Sequence, residues 1–150
     1  MAKAQAEQIK AQEKDHPDKV ATVGYGLTET NAHGTNASGL LLYDRPSTAG
    51  FATPFLNQIK IVGEDGAELD SGELGEVAIK STCNFRCYLK NEEATNEVLD
   101  DQGWFRSGDV GIIDEEGFLY IKDRIKDIVI RGGENIACLE IEAAIYEHPS

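Results

Sequence analysis

Ile59-Lys60-Ile61-Val62, then Gly63-Glu64-Asp65-Gly66, then Glu76-Val77-Ala78-Ile79-Lys80 is the stretch from which the fold is read. Both apolar runs alternate with a period of two and are rich in β-branched residues, the pattern of half-buried strands. The Asp-Gly step between them predicts antiparallel strands joined by tight turns of that type. The same pattern recurs downstream. Val110 to Ile113, a turn at Asp114-Glu115-Glu116-Gly117 and Phe118 to Lys122 form a second predicted hairpin, and Ile125 to Ile130 one more strand. The chain after Pro54 is therefore expected to build a small β-rich subdomain.

Upstream, Val20 to Tyr25 is a short β-branched and aromatic run that reads as a strand. It delivers Gly26-Leu27-Thr28-Glu29 to a strand's end, where ligand loops often sit. From Thr30 to Thr53, Gly34, Gly39, Pro46 and Gly50 among many small polar residues predict an irregular excursion over a surface. Helices are fewer. Met1 to Lys14 reads as a mostly solvated helix ended by His16-Pro17. Asn91 can cap a helix through Leu99, with Glu92 and Glu93 in the first turn, where the dipole favours anions. Gly132-Gly133 is a sharp turn, and Leu139 to Tyr146 is amphipathic, with Leu139, Ala143 and Tyr146 on one face. The fold class is mixed α/β, of the α+β kind.

Composition narrows the partners. The chain has 150 residues, enough for one core of ordinary size. With 27 acidic against 14 basic residues its net charge is -13, which argues against nucleic acid or an anionic membrane as a partner. A polyanionic ligand would then depend on a divalent metal, oriented backbone N–H groups and a few placed cations. No apolar run approaches the ~20 residues that span a bilayer, and the start lacks the apolar centre of a signal peptide. A soluble, cytoplasmic chain is the expectation. Cys83, Cys87 and Cys138 match neither a redox pair nor a zinc set and read as reduced structural thiols. His16, His33 and His148 are scattered and polar-flanked, and no chemistry is assigned to them.

Three segments carry the candidate chemistry: Val23-Gly24-Tyr25-Gly26-Leu27-Thr28-Glu29-Thr30, Gly103-Trp104-Phe105-Arg106-Ser107-Gly108-Asp109, and Asp123-Arg124-Ile125-Lys126-Asp127. In the first, Tyr25 offers a flat face for a base, and Gly24 and Gly26 allow close backbone approach. The Thr28 hydroxyl can donate to a phosphate oxygen, and Glu29 is a hard oxygen ligand suited to Mg²⁺. The same residues also fit an ordinary strand-end turn running into a helix start. In the second, Asp109 is an acceptor-only group able to take both hydroxyls of a ribose, or the anchor of an Asx-type turn. The third also fits a surface-charged edge strand.

In this order and spacing, the segments resemble the adenylate-forming superfamily, specifically the acyl-CoA synthetases with their luciferase-like and coumarate-ligase-like relatives. The resemblance implies that Tyr25 packs on adenine, Thr28 contacts phosphate, Glu29 holds magnesium, and Asp109 and Arg124 bind the ribose. It makes Lys126 the hinge about which a small carboxy-terminal domain rotates between adenylation and thioester formation. Arg131-Gly132-Gly133-Glu134-Asn135-Ile136 resembles the loop lining the pantetheine tunnel. Gly72-Glu73-Leu74-Gly75-Glu76 also matches a family motif, whose glycines shape a turn and whose acidic residues are expected to be solvated.

Residues 1–124 would be the end of the large AMP-binding domain with a barrel-like β-subdomain, and 125–150 the hinge and start of the small domain. ATP or AMP, Mg²⁺, CoA as co-substrate and a small-molecule carboxylic acid are the implied ligands. The stretch Asn31 to Pro46 resembles medium- or long-chain acyl-CoA ligases more than amino-acid-activating domains, which implies a fatty acid, with an aryl acid as the nearest rival. The family's phosphate loop and most of its acyl pocket lie upstream of these segments, and its catalytic lysine downstream. The chain therefore reads as part of a synthetase, inactive alone and open to self-association through unpaired strand edges. The alternatives are a non-catalytic nucleotide-binding or interaction module, a luciferase-like or aryl-CoA ligase fragment, and a purely structural β-rich domain.

Overall fold

In the computed structural model, residues 7, 9–11, 14–16, 18–125, 128–131, 134–137 and 145 are described. The main sheet has seven antiparallel strands: β1 (Thr22–Tyr25), β2 (Thr35–Ser38), β3 (Gly50–Ala52), β4 (Asn57–Val62), β5 (Gly75–Ser81), β6 (Trp104–Ile113) and β7 (Phe118–Arg124). They form one sheet in the order β1-β2-β3-β7-β6-β5-β4. Ile61 lies opposite Val77 and Ile59 opposite Ile79, so one face of the β4–β5 pair is continuously apolar. Ile61, Val77, Ile79 and Leu119 form the buried core, with Tyr25, Leu27, Ile113 and Ile121 packed around it. Each such aliphatic side chain contributes about 1.5–3 kcal/mol on burial. Tyr25 from one edge strand and Ile61 from the other share this cluster, so the sheet curls toward a barrel although its ladder stays open.

The chain between β5 and β6 folds onto the side of the sheet that carries Ile79, whose ladder partner on β6 is Phe105. Phe85 meets Phe105 edge-on at 5.7 Å and Tyr88 at 4.8 Å between ring centroids. The helix Glu92–Val98 follows, with the Asn91 side chain accepting from the Ala94 N–H at 3.1 Å as the expected cap.

The segment Thr30 to Thr53 is not irregular: it contains β2, a short helix (Leu40–Asp44) and β3. Its small hydroxylated residues can be buried because each hydroxyl finds backbone. Thr35 Oγ1 donates to the Ala49 carbonyl at 2.5 Å, and Thr48 Oγ1 donates to the Leu119 carbonyl at 2.9 Å while accepting from the Gly50 N–H at 3.0 Å. Period-two hydrophobicity could not reveal strands of this kind. The Asp-Gly turn also does a smaller job than expected. It closes a local excursion in which Gly66 N–H bonds the Gly63 carbonyl at 3.0 Å and Val62 faces Glu68, so β4 reaches β5 through the longer segment 63–74. The second hairpin is as predicted, extended to Trp104 and Arg124.

Downstream, Ile125 lies in a turn, and β8 (Ile128–Arg131) pairs with β9 (Glu134–Ala137) as a separate two-stranded sheet. The predicted helix Leu139 to Tyr146 and Cys138 fall outside the described residues, Ile145 apart. Residues 7, 9–11, 14 and 15 are helical, as expected near the amino terminus. Cys83 and Cys87 are free thiols. Among the described residues no helix is long and apolar enough to cross a membrane.

Candidate functional site

Antiparallel pairing of β6 and β7 sets Asp109 directly opposite Arg124. The curl of the sheet brings Tyr25, at the end of β1, to the same point. Asp109 is 6% exposed; its Oδ2 accepts from the Tyr25 hydroxyl at 2.7 Å and its Oδ1 from Arg124 Nε at 2.8 Å. A buried carboxylate needs such partners. Each oxygen retains further acceptor capacity, since a carboxylate offers about four lone-pair sites. The Asp109 N–H is held by Ser107 Oγ at 3.1 Å, and that hydroxyl donates to the Val77 carbonyl at 2.7 Å.

A second cluster forms around Glu29. The residues Thr28–Thr30 make a single 3-10 turn, steadied by Thr30 Oγ1, which accepts from the Leu27 N–H at 3.0 Å and donates to its carbonyl at 3.1 Å. The turn is tied to the next segment by the Phe85 N–H, which bonds the Glu29 carbonyl at 2.5 Å, and by Asn31 Nδ2, which bonds the Cys83 carbonyl at 2.6 Å. Tyr88 then donates its hydroxyl to Glu29 Oε1 at 2.7 Å. Leu27, Glu29, Tyr88, Arg106, Ser107 and Arg124 line a cleft of about 560 Å³ between the two clusters. Two guanidinium groups and three carboxylates, of Glu29, Glu76 and Glu97, thus face one volume, with Arg106 already paired to Glu76. Among the described residues no group of three or more His, Cys, Asp or Glu could hold a metal alone. Mg²⁺ fits this setting only with substrate phosphates completing its shell, which is its usual habit.

Thr28 is exposed at the turn. Gly24 lies in β1 opposite Asn36. A side chain at Gly26 would collide with the protein itself, its Cβ 2.5 Å from the Ala32 carbonyl carbon and 2.9 Å from the His33 nitrogen. Lys126, Gly132 and Gly133 lie outside the described residues. The sequence assigned no role to Tyr88, Arg106, Ser107 or Glu76. Arg106 and Ser107 stand in the segment that ends at Asp109, and Glu76 stands in the motif at 72–76, whose acids were expected to be solvated. In fact the Glu76 carboxylate is buried against Arg106 and Gly108.

Both tyrosines are held neutral by the fold. Burial, then the bond to Glu29, pushes the Tyr88 phenol up to about 12. Burial first, with the Asp109 carboxylate adding to it, raises Tyr25 as well. An unfolded phenol ionises near pH ~10, so this contribution is complete below that pH and is lost as pH rises through about 12. The melting temperature is expected to fall with alkalinity above pH ~10, and Tyr88→Phe should flatten part of that fall in melts recorded across the range.

Residues 2–89 match the family described as AMP-binding enzyme. The long-chain-fatty-acid–CoA ligase FadD13 of Mycobacterium tuberculosis is 45% identical over 126 residues, covering 84% of this chain and 24% of that protein. The 2-succinylbenzoate–CoA ligase of Bacillus licheniformis is 40% identical over 126 residues, covering 84% and 26%. Among solved structures, Mycobacterium tuberculosis fatty acyl CoA synthetase has a TM-score of 0.75 at 40% identity, covering 96% of this chain and 28% of that one. The Bacillus subtilis o-succinylbenzoate CoA synthetase in complex with its acyl-adenylate intermediate reaches 0.82 at 31% identity, covering 96% and 29%. The chain spans about a quarter of the length of the curated relatives it matches.

Proposed function

The chain belongs to the AMP-binding enzyme family, among the adenylate-forming acyl- and aryl-CoA ligases, and we propose that it carries the ribose- and metal-binding part of such a ligase's nucleotide site. The convergence of Tyr25, Asp109 and Arg124 on one buried carboxylate supports this reading most directly. In this reading Asp109 accepts from the ribose hydroxyls, Arg124 donates to the sugar, and the Tyr25 ring stacks on adenine. Thr28 donates to a phosphate oxygen. Glu29, oriented by Tyr88, holds a divalent ion, which when bound neutralises charge on the phosphates.

In the whole ligase a carboxylate attacks the α-phosphate, pyrophosphate leaves, and the CoA thiol then displaces AMP from the acyl carbonyl. Placed donors and cations act on the charge that builds on phosphate oxygens. Lys126 is proposed as the hinge between the two half-reactions, at a boundary between residues 1–124 and 125–150. Gly132 and Gly133 are proposed to belong to the CoA-binding residues.

A fatty acid is the proposed substrate, supported by the 45% identity to a long-chain-fatty-acid–CoA ligase against 40% to a 2-succinylbenzoate ligase. Testing the full ligase against fatty and aryl acids should give faster pyrophosphate release with the fatty acids; the reverse order would move the assignment to an aryl acid. Made alone, the 150 residues should bind ATP without releasing pyrophosphate. Glu29→Gln is expected to raise the Mg²⁺ needed for half-maximal ATP binding about tenfold, by loss of a charged ligand. An unchanged Mg²⁺ requirement would remove Glu29 from the metal site. The edges at β1 and β4 support self-association of the isolated chain, which sedimentation as a single monomeric species would refute.

A further inference from the structure

Glu76 lines the cleft beside Arg106 but has no ligand assigned to it, and its side chain is only 10% exposed with both its oxygens engaged. Oε2 accepts from Arg106 Nε at 2.7 Å and Nη2 at 2.5 Å, and Oε1 accepts from the Gly108 N–H at 2.9 Å. Burying a carboxylate costs stability unless it is paired and hydrogen-bonded, and even then the net gain is small. Its value therefore lies in what it fixes.

The strand register shows what that is. Glu76 pairs with Val110 and Ala78 with Arg106, so Val77 alone on β5 faces Ser107, Gly108 and Asp109 on β6. The ladder slips again on the other side of β6, between Val110 and Gly111. A bulge leaves its extra residues without ladder partners and re-aims a side chain. Here the extra residues include Gly108, at φ +74, and the site carboxylate Asp109. Two side chains replace the missing ladder bonds. Ser107 Oγ ties the bulge to Val77, and Glu76 ties it to Gly108 and to Arg106, which itself lines the cleft.

We propose that Glu76 is a positioning residue for nucleotide recognition, holding the bulge so that Asp109 presents its carboxylate to the ribose hydroxyls. The proposal rests on the reading that Asp109 binds the ribose. The test uses the longest native polypeptide that carries these residues and measures equilibrium binding of ATP and of 2′,3′-dideoxy-ATP, which lacks both hydroxyls. Wild type should prefer ATP, and Asp109→Asn should lose that preference. Glu76→Gln, which keeps an acceptor but loses the charge paired with Arg106, should weaken ATP about tenfold while changing the dideoxynucleotide less than about twofold. Glu76→Asp, which keeps the charge but shortens the reach, should fall between, and it decides the matter if the glutamine variant does not fold. If both variants keep the wild-type preference, or weaken both nucleotides alike, Glu76 supports only the fold and the proposal is overturned. Wild type without a preference, or Asp109→Asn that keeps it, would overturn the underlying ribose assignment before any Glu76 variant is considered.

Discussion

Asp109→Ala is expected to weaken ATP binding by about ten- to a hundredfold, since hydrogen bonds to a charged group are worth about 1.5–3 kcal/mol. The loss should extend to stability, because Asp109 is also the acceptor for two protein groups. The Tyr25 hydroxyl would lose the partner 2.7 Å away and Arg124 its ion pair. A donor left unsatisfied in a packed site costs about 1–3 kcal/mol. The exposed Arg124 can turn to water, so the Tyr25 hydroxyl should dominate, and Tyr25→Phe combined with Asp109→Ala should recover part of the lost melting temperature. Binding titrations and thermal melts on the same preparations separate the two effects. ATP affinity within about twofold of wild type, against the loss expected from the removed bonds, would refute the assignment of Asp109 to the ribose.

Gly26→Ala should have the largest effect on stability among the site residues. The new Cβ would meet the Ala32 carbonyl carbon at 2.5 Å, its oxygen at 2.6 Å and the His33 nitrogen at 2.9 Å. All three are backbone atoms and cannot rotate away, so the 3-10 turn must move as a body, taking Glu29 with it. A cost of about 3 kcal/mol, the upper end of overpacking, is expected. Gly24→Ala is the internal comparison: its Cβ would meet one oxygen, of Thr35, at 3.1 Å, which a small strand shift relieves. Urea unfolding of both variants should give a much lower midpoint for Gly26→Ala than for Gly24→Ala. Equal midpoints would mean that the turn is loose.

The curled β-sheet could be read from the chain wherever side chains alternate. Ile59, Ile61, Val77 and Ile79 are such positions, and β4 and β5 formed where period-two hydrophobicity placed them. It could not be read where burial is achieved by hydroxyls bonded to backbone, as at Thr35 and Thr48. The candidate site divides in the same way. Tyr25, Asp109 and Arg124 stand out as a sequence pattern, and the fold brings them into hydrogen-bonding contact. Tyr88 and Glu76 did not stand out, because their partners lie 59 and 32 residues away, at Glu29 and Gly108. Such pairings depend on strand register and on a bulge, which composition and spacing do not encode locally.

The role proposed for the carboxylate between Tyr25 and Arg124 is to receive a ribose. The most direct measurement is to titrate the ¹⁵N-labelled chain with AMP and, separately, with 2′,3′-dideoxy-AMP, and to follow the backbone amides of Gly108 and Asp109. Saturable shifts are expected at both amides with AMP and markedly smaller ones with the dideoxynucleotide. Identical shifts with both nucleotides, or shifts confined to residues away from the β6–β7 pair, would contradict that role.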